Sequence, residues 1–266
     1  MKKMLQVSEL FVYPVKSLGG IRLQTATLTS TGIQYDRLWM LVDADNKFIT
    51  QRQIPQLALF NISMSDEKIT IQFGNQAIDI LKNENNNDIM HCDIWGEQVQ
   101  AIREDAAVNH WFSDILNTKV SLVRKTGIER PVNNHPDWSV NFPDAHQYLI
   151  LGENSLHHLN EKLSKKLPVN RFRPNIVFTG GQVHIEDDWQ EIQIGDSRFA
   201  ITKACGRCKI TTNDQATGIM SAEPLKTLAT YRQVDNKVLF GQYLKLLSSK
   251  NYEIRIGDLV SVIKEK

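Results

Sequence analysis

The stretch with the most chemical potential is Lys203-Ala-Cys205-Gly-Arg-Cys208-Lys-Ile-Thr-Thr212. Two thiols three positions apart admit four readings: a redox pair, half of a zinc site, one metal ligand beside a bystander, or two small residues buried in a strand. A thioredoxin-type pair needs a strand-to-helix junction inside a βαβ unit, and the β-branched residues after Cys208 are poor at opening a helix. A structural zinc site takes four ligands, and the other obvious ones, His91 and Cys92, lie more than a hundred residues upstream. Lys203, Arg207 and Lys209 surround the thiols in the sequence. Positive charge there favours the thiolate, which is both the nucleophile and the metal ligand.

Further cations stand among turn residues: Lys16 in Tyr13-Pro-Val-Lys-Ser17, Arg37 in Tyr35-Asp-Arg37, Arg52, and Arg171 and Arg173 ahead of Pro174. An Arg beside Pro or Gly in a loop suits a phosphate or carboxylate, which its fork binds bidentately. Taken singly, each reads as a solvated surface charge; taken with a thiolate, they point to an anionic cofactor whose metal accepts sulfur. No Gly-rich phosphate loop occurs, so Arg and Lys would have to cradle the anion. Asp43, Asp45, Asp187 and Asp188 read as turn carboxylates, and His157-His158 as a solvated helix surface. Neither a Gly-x-Ser-x-Gly elbow nor a His-Glu-x-x-His pair is present, which removes serine hydrolases and zincins.

The elements that must hold these residues read as mostly β. Ile69-Thr-Ile-Gln-Phe73 alternates with period two. Leu38 to Val42 and Lys47 to Thr50 flank the turn cluster Asp43-Ala-Asp-Asn46 and predict a hairpin. Gly195-Asp196 and Gly257-Asp258 each interrupt alternating runs and predict two more hairpins, the pattern of a sheet that closes as a barrel. Helical spacing appears in Leu156, Leu159, Leu163 and Leu167, in Asp105 to Leu116, and after Ser221, where Pro224 falls in the first turn. Strict strand–helix alternation is missing, which disfavours a doubly wound parallel sheet.

With 266 residues, the chain is long enough for one large or two modest domains and a sizeable core. Lys and Arg number 31 against 30 Asp and Glu, giving a net charge of +1 that excludes a general nucleic-acid or membrane-surface footprint. No apolar run approaches a membrane span, and the N-terminus turns polar too soon for a signal peptide, so a cytoplasmic location is expected. Three cysteines are too few for a disulfide framework and are expected to be reduced.

In that order along the chain, Tyr13-Pro-Val-Lys-Ser17, Tyr35-Asp-Arg37, Arg171-Phe-Arg-Pro-Asn175, Glu186-Asp-Asp-Trp189, Ala204-Cys-Gly-Arg-Cys208, Thr211-Thr-Asn-Asp214, Phe240-Gly-Gln-Tyr243 and Ile256-Gly-Asp258 resemble the MOSC-domain proteins. Within these the chain is most similar to the mitochondrial amidoxime-reducing component and its bacterial relatives, almost end to end. The resemblance implies a mainly β (α+β) fold, with an N-terminal MOSC-associated β-rich domain and a MOSC β-barrel carrying a few helices. The boundary falls between 82 and 120 and is placed at 1–100 and 101–266.

It also implies the molybdenum cofactor, with Cys208 as metal ligand and catalytic centre and Cys205 as a packed bystander. Cofactor contacts carry over onto Lys16, Ser17, Arg37, Arg173, Asn175, Gly206 and Arg207, and onto Asp144, Ala145 and His146. Ala145, His146 and Gly206 depart from the commoner residues of the family. The implied reaction is reduction of a small N-hydroxylated compound, N–OH to N–H, with water formed. No cysteine follows Cys208, so an appended iron–sulfur domain is not expected, and electrons would come from a separate reductase or carrier protein. Substrate-facing residues are expected around Arg52 and within 124–146. Rival readings are a non-catalytic molybdenum-cofactor carrier, a zinc-stabilised scaffold using His91, Cys92, Cys205 and Cys208, and a dithiol redox protein.

Overall fold

The computed structural model describes residues 4–82, 87–128, 130–132, 135–143 and 146–266. The expected mainly β fold with a few helices is present. The largest sheet runs in the order Ile21–Leu23, Gln6–Val12, Ile176–Thr179, Tyr148–Gly152, Lys237–Ser249, Ser197–Arg207, Trp189–Ile194 and Val260–Glu265, with Gln233–Val234 beside Lys237–Ser249. This sheet curls round on itself: Val7 donates to the Asp258 carbonyl, Gly257 to that of Val7, and Val260 to that of Leu5. Leu10, Val12, Ile150, Ile176, Trp189, Ile192, Phe199 and Leu244 fill its interior, each such side chain contributing about 1.5–3 kcal/mol on burial. Its one parallel pair, Tyr148–Gly152 with Ile176–Thr179, is joined through the helix Glu153–Glu161. The strand Gln6–Val12 lies inside this sheet, so the start of the chain is hydrogen-bonded among strands of its C-terminal half.

Most other strands of the N-terminal half form a four-stranded sheet (Trp39–Asp43, Val120–Lys125, Glu97–Arg103, Ile89–Ile94) and a three-stranded meander (Asn61–Met64, Lys68–Phe73, Gln76–Leu81), while Thr25–Thr29 lies between Gly32–Ile33 and Glu253–Arg255. The helix Ala106–Leu116 presses Val108 and Phe112 into the shared core with Trp39, Phe60, Ile69, Ile71 and Leu122. The Asp105 carboxylate caps it by accepting from Ala107 N, and Asn117 ends it in a left-handed conformation, a turn that Asn tolerates. In the predicted hairpin Val42 bridges Phe48, and Asp43 Oδ1 accepts from both Asp45 N and Lys47 N.

Three local expectations are corrected. The leucine stripe does not make one helix: the helix stops at Glu161, and Asn160 uses its amide to accept from Leu167 N and donate to Leu167 O. Pro168 disfavours a helical backbone at Leu167, so the last leucine of the stripe falls outside any helix. The third helix runs Leu225–Arg232 with Pro224 at its N-cap and no cap from Ser221; Glu223 Oε2 accepts from Thr227 N instead. Gly195, at φ 54°, does turn the hairpin between Trp189–Ile194 and Ser197–Arg207. Gly257, at φ 98°, turns a corner between sheets: Glu253–Arg255 pairs with Thr25–Thr29, whereas Val260–Glu265 pairs with Trp189–Ile194.

Candidate functional site

A cavity of ≈ 260 Å³ opens where loops of both halves converge. Its walls include Lys16, Ser17, Arg37, His146, Arg173, Asn175, Gly206, Arg207 and Cys208, all of which the sequence had singled out. Asp144 and Ala145 lie outside the described residues. Arg52 and Arg171 also line it, with Thr50, Tyr148, Thr211 and Tyr243, which the sequence reading passed over. Tyr243 and Thr211 had a signal in Phe240-Gly-Gln-Tyr243 and Thr211-Thr-Asn-Asp214; Thr50 had none beyond lying near Arg52.

The thiol pair is divided by a strand irregularity. Ser197–Arg207 pairs with Lys237–Ser249, but the register shifts between Ala204 and Gly206, opposite Gly241 at φ 81°. Bulges of this kind re-aim side chains. Cys205 turns inward and is 2% exposed, whereas Cys208, just past the strand, is half-buried on the cavity wall. A single 3₁₀ turn, Lys209–Thr212, follows and brings the Thr211 hydroxyl to the Cys208 carbonyl at 2.9 Å.

The cations that flank the thiols in sequence are not all the ones that reach them. Lys203 and Lys209 are exposed. Arg207 Nη1 donates to Cys205 Sγ at 2.9 Å, and Nη2 to the Phe172 carbonyl at 2.5 Å. Burial opposes the Arg207 charge, but the Cys205 thiol, the Tyr243 phenol and the Cys208 thiol outweigh it and hold its pKa above the ordinary value. Cys208 Sγ is instead met by Arg52 Nη2 at 3.3 Å. The Arg52 guanidinium lies 5.1 Å from the centre of the exposed Trp95 ring, a cation–π distance.

Three of the site residues, Ser17 (φ 70°), Arg37 (φ 48°) and Arg173 (φ 52°), have left-handed backbones. Such conformations cost non-glycine residues about 1–3 kcal/mol and concentrate at functional sites. The surrounding contacts enforce them. The Arg37 and Arg173 guanidinium carbons lie 4.4 and 4.2 Å from the buried Tyr13 ring. Arg37 pairs with the Asp36 carboxylate, and Arg173 Nη1 donates to the Leu18 carbonyl at 2.6 Å. Burial, only partly opposed by Arg173 and Arg37, pushes the Tyr13 phenol up to about 12, so it stays neutral. The Ser17 carbonyl accepts from Gln51 Nε2, and Gln51 in turn pairs with Asn213 and Gln215. That ladder ties the loop carrying Arg52 to the segment following Cys208.

Not every lining residue has an atom to offer. Asn175 is committed to the fold, its amide accepting from Leu149 N and donating to the Phe11 carbonyl. Arg171 is pinned by Thr211, Asp214 and Glu223, and burial lowers its pKa. Lys16 Nζ reaches the Phe142 carbonyl at 2.8 Å. A Cβ at Gly206 would meet only the Lys237 side chain, at 3.6 Å, so the departure to Gly leaves the backbone where a larger residue would also fit.

The zinc arrangement is not formed. Cys92 is wholly buried among Met40, Val42, Ile94 and Val99, and burial raises its thiol to about 11. His91 points to the exposed face of the same strand. Among the described residues no three His, Cys, Asp or Glu side chains gather as a metal site, and both Cys205 and Cys208 are free thiols. No helix of the described chain is long and apolar enough to cross a membrane.

Residues 4–119 match the MOSC N-terminal beta barrel domain and residues 137–261 the MOSC domain. The chain is 32% identical over 280 residues to the human mitochondrial amidoxime-reducing component 1, covering 97% of this chain and 82% of that protein. It is 32% identical over 277 residues to the bovine mitochondrial amidoxime reducing component 2, covering 96% and 82%. It is also 31% identical over 276 residues to the molybdenum cofactor sulfurase of Oryza sativa subsp. japonica, covering 94% of this chain but 33% of that longer protein. Among solved structures, the YuaD protein of Bacillus subtilis aligns over 98% of this chain and 96% of its own at 11% identity, with a TM-score of 0.44, a likeness too weak to carry a conclusion. Matched in both halves and along nearly all of its length, the chain belongs to the MOSC-domain family.

Proposed function

We propose that this chain binds the molybdenum cofactor through Cys208 and reduces small N-hydroxylated compounds, N–OH to N–H and water, with electrons from a separate donor protein. The observation that carries this reading is the cavity itself. A half-buried thiol shares it with Lys16, Arg37, Arg52, Arg171, Arg173 and Arg207, and no carboxylate is among the described residues that line it. Such a wall suits an anion, here the phosphate of a pterin, and a soft thiolate suits a metal already bound by dithiolene sulfurs. Arg207 Nε is buried with no protein partner among the described residues, a donor that a ligand in the cavity would satisfy. The relatives named for reducing amidoximes, which are N-hydroxylated amidines, support the substrate class.

The cofactor, when bound, supplies the two-electron, oxygen-accepting chemistry. The chain's own residues hold and orient it. Cys208 is the metal ligand, with Arg52 donating to its sulfur. Lys16, Arg37, Arg173 and Arg207 provide the charge that holds the anion, with Ser17 and Gly206 beside them. Asn175 keeps the strands bearing Phe11 and Leu149 at their spacing. Asp144 and Ala145 are proposed contacts on the resemblance alone.

The test is metal and pterin content after expression in a cofactor-competent host, followed by turnover of a hydroxylamine or amidoxime with an artificial donor. Molybdenum and pterin near one per chain together with turnover is the expected result; zinc in their place would overturn it. The match to a segment of a molybdenum cofactor sulfurase favours a second reading, a module that carries the cofactor without reducing anything. Verified loading with persistent inactivity would select it.

A further inference from the structure

Reduction of N–OH consumes two protons as well as two electrons, and among the described residues lining the cavity one side-chain type stands out. Lys16 and the five arginines are cations of high pKa; Tyr148 and Tyr243 are phenols; Cys205 and Cys208 are thiols. His146 is the single imidazole, the one side chain there whose ordinary pKa lies near neutrality. We propose that His146 is the proton donor of the reaction, held by Thr202 so that Nε2 exchanges the proton. The proposal rests on the reductase reading above.

The geometry is specific. His146 is 8% exposed, and its ring stacks on Tyr243 at 4.3 Å with a 14° interplanar angle. Trp138 closes another side at 6.4 Å. Its Nδ1 lies 3.0 Å from Thr202 Oγ1, and the Thr202 hydroxyl also reaches the Tyr243 carbonyl at 3.2 Å. With the single Thr202 proton given to the Tyr243 carbonyl, which can only accept, His146 Nδ1–H donates to the hydroxyl oxygen. That leaves Nε2 as the nitrogen that gains and loses a proton. Among the described residues, the titratable and charged groups placed around His146 are the Tyr243 phenol, which acts electrostatically on Arg207, and Lys245, whose Nζ sits 4.6 Å from the far Trp138 ring.

In the balanced step the N–O bond breaks with an electron pair supplied by the donor protein. One proton passes from His146 Nε2 to the departing oxygen, and the second comes from solvent. The His146 proton turns the departing hydroxyl into water, the solvent proton goes to nitrogen and forms the N–H, and solvent reprotonates Nε2. The neutral ring is then the Nδ1–H tautomer that Thr202 already holds.

The experiment compares wild type, His146→Gln and Thr202→Val as cofactor-loaded protein, with metal and pterin content verified. It measures kcat/KM for an amidoxime over pH ~5–9, which brackets the imidazole range, and records ¹⁵N spectra of selectively labelled histidine. The wild type is expected to lose kcat/KM on the alkaline side. His146→Gln is expected to lack that limb and to be slower by about 100-fold, the low end for a lost general acid. The neutral His146 ring is expected as the Nδ1–H tautomer, and Thr202→Val should mix the tautomers and shift the limb to lower pH. An alkaline limb preserved in His146→Gln, or a neutral ring protonated on Nε2 in the wild type, overturns the proposal. Should His146→Gln fail to load, the Thr202→Val limb and the tautomer decide. A loaded wild type that reduces no N-hydroxylated compound defeats the reductase reading instead, while the tautomer still reports on the Thr202 contact.

Discussion

Arg52 Nη2 donates to Cys208 Sγ across 3.3 Å, although 156 positions separate the two residues in the chain. The contact joins a loop of the N-terminal half to the segment that supplies the thiol, and the Trp95 ring lies 5.1 Å from the same guanidinium. A hydrogen bond to a metal-ligating sulfur orients the ligand and draws charge from it.

Arg52→Gln should therefore leave the fold and most pterin binding intact but lower turnover by about 10–100-fold, the usual range for a partner of a metal ligand. Turnover measured beside metal and pterin content checks this. Loss of the pterin together with activity would assign Arg52 to holding the anion rather than the sulfur.

The two cysteines should behave differently. Cys208→Ala should lose the metal and all activity. Cys205→Ala should keep both, with a stability loss of about 1 kcal/mol for the buried sulfur and for the acceptor that Arg207 loses. Metal analysis and urea unfolding of the two variants check this, and equal metal loss in both would defeat the single-ligand assignment.

Gly241 sits at φ 81° opposite the irregularity that splits the thiol pair. A Cβ there would lie 2.9 Å from the Ile150 carbonyl oxygen, a backbone atom with little freedom to move. Gly241→Ala should destabilise the protein by on the order of 2–3 kcal/mol, combining left-handed strain with the close contact. A urea midpoint equal to that of wild type would contradict it.

Acid should weaken the fold through His184. Burial, helped by Arg232, lowers its pKa from 6.5 to about 4. Between these values the unfolded chain binds the proton and the folded one does not, so stability rises with pH there. The His184 contribution is complete above about 6.5 and is lost as the pH falls to about 4. His184→Asn, chosen because Asn tolerates the left-handed backbone at φ 60°, should show a smaller drop in urea midpoint between neutral and acidic buffer than wild type.

What the sequence by itself determined was local or ordered along the chain. The Asp105-capped helix, the Asp43 turn and the Gly195 hairpin are each specified within a dozen residues, where periodicity and turn stereochemistry act directly. The ordered motifs were enough to name the family and to nominate residues that do line one cavity. Tertiary structure alone decided which of them meet. Lys203 and Lys209 adjoin the thiols in sequence yet face solvent, while Arg52 reaches Cys208 from the other half. Gly257 repeats the Gly195 pattern yet turns between sheets, because its flanking strands find partners elsewhere. The leucine stripe from Leu156 to Leu167 promised one helix, and the helix ends at Glu161. In each case the local pattern offers a conformation or a charge. The partner is selected by burial and backbone pairing summed over the whole chain, and no short window of sequence contains that sum.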